Sequence, residues 1–142
     1  MTSAFEKLCG AGKPLKAEPP DAKEFAGLVR SGTTRLNDAT SHTLALESRF
    51  DLAYNAAHAL CLAALRWHGY RSSNRYIVSQ LLPSTLGLGS EVWRVLSKRH
   101  DIRNLGEYEG DLNVDERIVA DLIAACHVVA AKVGALPAIA NA

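Results

Sequence analysis

The stretch Ser48–Tyr70, SRFDLAYNAAHALCLAALRWHGY, constrains the fold most, because as a helix it is apolar on almost every side. Phe50, Ala53, Ala57, Leu60, Ala64 and Trp67 recur at spacings of three and four, the helical period. Ala56, Ala59 and Ala63 form a second stripe of small residues beside them. Alanine favours the helix intrinsically, and its short side chain lets a neighbouring helix come close. A helix with two apolar faces needs partners on both, so this segment belongs at the centre. Asp51, Tyr54, Asn55, His58 and Arg66 interrupt it, whereas a membrane span needs about 20 nearly unbroken apolar residues. The segment therefore predicts a buried core helix, ended by Gly69 in a left-handed conformation.

A chain of 142 residues is one domain, able to bury about two-thirds of its unfolded surface in a single core. Its net charge of +1 names no partner. The distribution says more: from Arg66 to Arg103 there are seven Lys or Arg against two acids. That basic middle suits a polyanion such as RNA, and equally a solvated helix face. Cys9, Cys61 and Cys126 form no CxxC pair, and an odd number cannot close a complete disulfide set. Cys61 and Cys126 lie within apolar helical patterns, as free buried thiols do, which points to a reducing cytoplasm. Met1–Pro20 lacks the apolar core of a secretion signal.

Along the chain, residues 1–20 alternate Lys, Gly and Pro with isolated apolar residues, which predicts a mobile arm with at most one helical turn near Phe5. Asp21, with Glu24 three residues on, predicts a capped helix whose inner face is Phe25, Leu28 and Val29. Ser31-Gly32 is expected to interrupt it. After Gly69, Ser72 or Ser73 can cap a helix carrying Ile77, Val78, Leu81 and Leu82, ended or kinked by Pro83. Ser90 can cap another, carrying Val92, Val95, Leu96, Ile102 and Leu105. The segment after Gly106 has turn composition, and Asn113 caps a last helix in which Ile118, Leu122, Cys126, Val129 and Val133 step by four, four, three and four. Residues 134–142 remain as a tail. No period-two alternation occurs, so the expected fold is all-α: an antiparallel bundle of four to five helices spanning 21–133.

Chemistry-bearing motifs are few. His42, His58, His68, His100 and His127 form neither an HExxH motif nor another regular metal spacing, and no metal or cofactor is expected. Gly10-Ala11-Gly12-Lys13 and Gly87-Leu88-Gly89 lack both the spacing and the preceding strand of nucleotide-binding loops. The remaining candidate is RHDIRNLGEY, Arg99–Tyr108. Arg99 interrupts an apolar stripe, and Arg103 follows one helical turn later. Two guanidinium groups on one face repel unless an anion lies between them. Glu107, four beyond Arg103, supplies one, giving a structural cluster at the helix end. A phosphate supplies another, giving a site.

The helix AYNAAHALCLAAL, then GYR, then RNLGEYEGD and a final amphipathic helix resemble the HEPN superfamily of small bacterial helical domains, over roughly Ala22 to Val133. Many HEPN domains are metal-independent ribonucleases marked by an Arg, a polar residue and a His a few positions on, paired across a homodimer cleft. Arg103 and Asn104 match the start of that motif, and Tyr108 stands where the His would be. A phenol with a pKa of about 10 moves protons poorly near neutrality. The resemblance thus implies a non-catalytic homodimer that binds RNA, a nucleotide or a cognate protein through Arg99, Arg103, Asn104 and Glu107. The alternative it implies is a ribonuclease in which His100 serves with Arg103 and Tyr108, acting as the toxin of a toxin–antitoxin pair with a cognate nucleotidyltransferase or antitoxin. Both versions are cytoplasmic, without membrane association.

Overall fold

In a computed structural model of the chain, residues 4–109 and 114–139 are described, with the backbone alone at 99–101 and 103–109. Four long helices carry the fold: α2 (Ala22–Ala39), α3 (Leu46–Trp67), α6 (Ser90–Glu109) and α7 (Glu116–Gly134). The short helices α1 (Ala4–Leu8), α4 (Arg75–Gln80) and α5 (Leu82–Thr85) accompany them. One antiparallel strand pair, β1 (Lys16–Ala17) against β2 (Tyr70–Arg71), completes the described elements. The protein is mostly helical, as its periodicities predict, and the strand pair is an addition to that reading. No helix among the described residues is long and apolar enough to cross a membrane.

α3 is the central element. Phe50, Ala53, Leu60 and Ala64 on one stripe, and Ala56 and Ala63 on the other, have no exposed surface. α2 packs along α3 on one side and α7 on another. Gly69, with φ 88°, turns the chain just past its end.

α2 is continuous, where Ser31-Gly32 was expected to interrupt it. Glycine there serves packing: a Cβ on Gly32 would lie 2.7 Å from Leu60 Cγ and 3.3 Å from the Ala56 carbonyl oxygen. Gly32 is the notch in α2 into which Leu60 of α3 fits. Its helix cost of about 0.5–1 kcal/mol is offset by the close contact it allows. At the start of α2, Asp21 Oδ1 accepts from Lys23 N at 2.8 Å and Glu24 N at 3.1 Å. The expected reciprocal capping box is absent, because the Glu24 side chain is engaged elsewhere.

Residues 4–20, expected to form a loose arm, are docked on the bundle. Leu15 is 1% exposed, and Phe5 stacks on Tyr70 and tilts against His68, with centroids 5.1 and 5.0 Å away. The clasp is Arg66, only 2% exposed in the last turn of α3. Its Nη1 and Nη2 donate to the Glu18 and Pro19 carbonyl oxygens, both at 2.8 Å, and its Nε to Glu24 Oε1 at 2.5 Å. Arg71 closes the ring by donating to Glu18 Oε2 at 2.9 Å and to Glu24 Oε2. The sequence hides this clasp, because neither Lys-Gly-Pro composition nor period-two alternation marks a two-residue strand.

The second half also departs from expectation. α4 is capped by Asn74, whose Oδ1 accepts from Ile77 N at 3.1 Å, and not by Ser72 or Ser73. Pro83 sits in the first turn of α5, where its missing N–H costs nothing. α6 continues through Gly106 to Glu109, where a turn was expected. Asp115 caps α7 by accepting from Ile118 N at 2.8 Å; Asn113, the expected cap, lies outside the described residues. Past Gly134 the tail docks, Trp67 Nε1 donating to the Pro137 carbonyl oxygen at 2.9 Å.

Cys61 and Cys126 meet in the core, and Cys126 Sγ donates to the Ala53 carbonyl oxygen at 3.3 Å. Burial pushes the Cys126 thiol up to about 12, and burial together with Cys126 raises Cys61 as well. A raised folded pKa means that the unfolded chain loses these protons first. Stability is therefore full below the unfolded thiol pKa of about 8.5 and falls as pH climbs towards 12. Iodoacetamide at mildly alkaline pH is expected to alkylate half-buried Cys9 in the native protein and all three thiols in denaturant. Rapid native labelling of Cys126, read by peptide mass, would refute this packing.

Candidate functional site

Arg99, His100, Arg103, Asn104, Glu107 and Tyr108 all fall on α6, whose backbone is helical throughout, and their side chains lie outside the described residues. Register alone places them. At about 100° per residue, positions 99 and 103 continue the stripe of Val92 and Leu96, both buried against the core. Position 107 stays within about 40° of 103. Position 108 stands about 140° round from it, and position 100 about 60°. The continuous helix therefore brings Arg99, Arg103 and Glu107 to one face and separates Tyr108 from them.

Leu96, one turn before Arg99, lines a cleft of about 330 Å³ between α3, α4, α6 and α7. Ala57, Cys61 and Leu122 make its floor, and Tyr54, His58, Arg75 and Ser79 supply its polar atoms. α3 presents Tyr54, His58 and Cys61 at spacings of four and three, so one helix face delivers all three. The cleft is narrow, with enclosed room for about one water and the rest of its volume open to solvent.

Arg75 is the cation of this cleft. Its guanidinium carbon lies 5.3 Å from the Tyr54 ring centroid. Its Nη1 donates to Asn55 Oδ1 at 3.1 Å, and Asn55 Nδ2 in turn donates to the Asp51 carbonyl oxygen at 2.8 Å. Among the described residues Arg75 has no carboxylate partner. Aromatic face and amide orient the guanidinium without neutralising it, so among the described residues its charge is unanswered.

Two other members of the basic middle are already committed, since Arg66 and Arg71 are neutralised by Glu18 and Glu24. The Arg66 hydrogen bond, helped by Arg71, holds the Glu24 carboxyl below the usual carboxylate range against the opposing effect of burial. The charge excess read from the sequence thus contracts to α4 and α6. Sequence reasoning missed Arg75, and the available signal was its place directly after the Asn74 cap, which fixes where the first turn of α4 points. Among the described residues no group of three or more His, Cys, Asp or Glu is arranged to hold a metal ion.

Comparison with family models, with curated proteins and with solved structures finds no match to this chain.

Proposed function

We propose that the chain is a HEPN-like domain that acts as a non-catalytic homodimer and binds single-stranded RNA through an arginine-lined cleft. The observation that carries this reading is the oriented Arg75, which has no carboxylate partner among the described residues and lines a cleft with Leu96, the residue one turn before Arg99 on the α6 stripe. Arg75 and the α6 positions of Arg99 and Arg103 suit a run of phosphates, each able to accept a bidentate contact. A nucleotide or a cognate protein with an acidic segment shares that chemistry; RNA is favoured because the charges are spread along a helix and not gathered round one pocket. The helical register also supports a binder over a nuclease, since Tyr108 stands away from the Arg103 face.

Short single-stranded RNA is expected to bind weakly and with steep salt dependence, read by fluorescence anisotropy, and to survive the incubation intact. Arg75→Ala and Arg103→Ala should each weaken binding roughly tenfold or more, the scale of one lost charge-assisted contact. Sedimentation should give twice the chain mass, and a strict monomer would remove the dimeric part of the proposal. Robust EDTA-resistant cleavage that disappears in His100→Ala would instead establish the ribonuclease reading, in which His100, about 60° from Arg103, carries the proton.

A further inference from the structure

A roomier cleft lies away from α6, between the glycine turn at 10–13 and the link from β2 to α4. It encloses about 870 Å³ out to its open side and is lined by Cys9, Lys13, Lys16, Arg71 and Ser73, with no carboxylate in its wall. Local structure explains why the cations converge. Gly12, with φ 74°, sits third in a turn closed by Lys13 N donating to the Gly10 carbonyl oxygen at 3.1 Å, a position that needs positive φ. That turn brings Lys13 back over the cleft, where its Nζ donates to the Lys7 carbonyl oxygen at 3.3 Å and meets no carboxylate among the described residues. Lys16 is exposed and is the direct cross-strand partner of Arg71. Like charges directly opposite in a strand pair are unfavourable. The Arg71 charge is answered by Glu18 and Glu24 on its other side, while Lys16 has no carboxylate partner among the described residues.

The link itself joins this cleft to the one described above. Arg71 and Ser73 line the first, and Arg75 lines the second. Four residue steps span at most about 14 Å, a gap that a strand of a few nucleotides can cross. We infer that the Lys13–Lys16 cleft is a second phosphate-binding surface, onto which an RNA strand held at Arg75 continues across residues 71–75. This rests on the RNA reading and adds to it a direction for the strand and a minimum length.

The test compares fluorescein-labelled oligoribonucleotides of about two and about twelve nucleotides, the first too short to reach both clefts and the second long enough, by anisotropy over a salt series. Lys13→Ala/Lys16→Ala is expected to weaken the longer strand roughly tenfold, to lower its salt slope by about 1.4, or 0.7 for each lost phosphate contact, and to leave the shorter strand unchanged. Lys13→Arg/Lys16→Arg should keep wild-type binding of both. Both lysines are exposed, and an unchanged thermal melt confirms that the fold is intact. If the longer strand binds the alanine variant as tightly as wild type while Arg75→Ala weakens it, the second surface is refuted and the proposed function stands. Equal losses for both lengths would refute it also, as diffuse attraction. No binding of either strand by wild type overturns the RNA reading and this inference with it.

Discussion

Arg66→Ala is expected to lower the free energy of unfolding by about 3–5 kcal/mol, the cost of breaking a buried ion pair from one side. The side chain is 2% exposed, and it satisfies the Glu18 and Pro19 carbonyls as well as Glu24. Alanine would leave those acceptors partly buried without a donor, with only Arg71 still holding Glu18 and Glu24. Urea denaturation measures the loss, and limited proteolysis should show cleavage near residues 4–20 before the bundle unfolds. The pH dependence carries the same signature. Because the folded pKa of Glu24 is depressed, its stabilisation is present above the unfolded carboxylate value of about 4.3 and is lost as pH falls through the lower folded value. The variant should lack most of that acid-side decline. A loss under about 1 kcal/mol would show that solvent reaches the clasp and that Arg66 contributes little net.

Leu60→Ala should cost about 2–5 kcal/mol, as a fully buried leucine truncated at a helix crossing. Gly32→Ala should cost about 1–3 kcal/mol, because its Cβ would meet Leu60 Cγ at 2.7 Å in a core with no slack. The two are coupled. Once Leu60 is alanine, the extra methyl on Gly32 enters space that the leucine vacated, and alanine's better helix propensity adds up to about 1 kcal/mol. The double variant should therefore be more stable than the sum of the single losses implies, by at least about 1 kcal/mol. Strict additivity would mean that the Ala56 carbonyl, 3.3 Å from the same Cβ, and not Leu60, sets the clash.

The sequence disclosed what periodicity can disclose. The stripes of α3 and α7 name their buried residues almost one for one: Phe50, Ala53, Leu60 and Ala64 in the first, Leu122, Cys126, Val129 and Val133 in the second. It misled where a residue type has two uses. Glycine at 32 reads as a breaker and acts as a notch; glycine at 106 reads as a turn and lies inside α6. Glu24 reads as a cap and acts as a counterion. Such choices are settled by neighbours distant in sequence, as with the 42 residues between Glu24 and Arg66. The same limit applied to the candidate site. Spacing put Arg99 and Arg103 on one helix, but Arg75 comes to line a cleft with Leu96 of that helix only through the packing of α4 against α6.

The clasp also orders events during synthesis. Glu18 and Pro19 are made 48 and 47 residues ahead of the guanidinium that holds them. At about 5–20 residues per second, translation opens an interval of roughly 2–10 s. During it Phe5 and Leu15 have been made but the last turn of α3 has not. Residues made before α2 thus find their places only after α3 is complete, and two apolar side chains stay accessible to chaperones until Arg66 arrives.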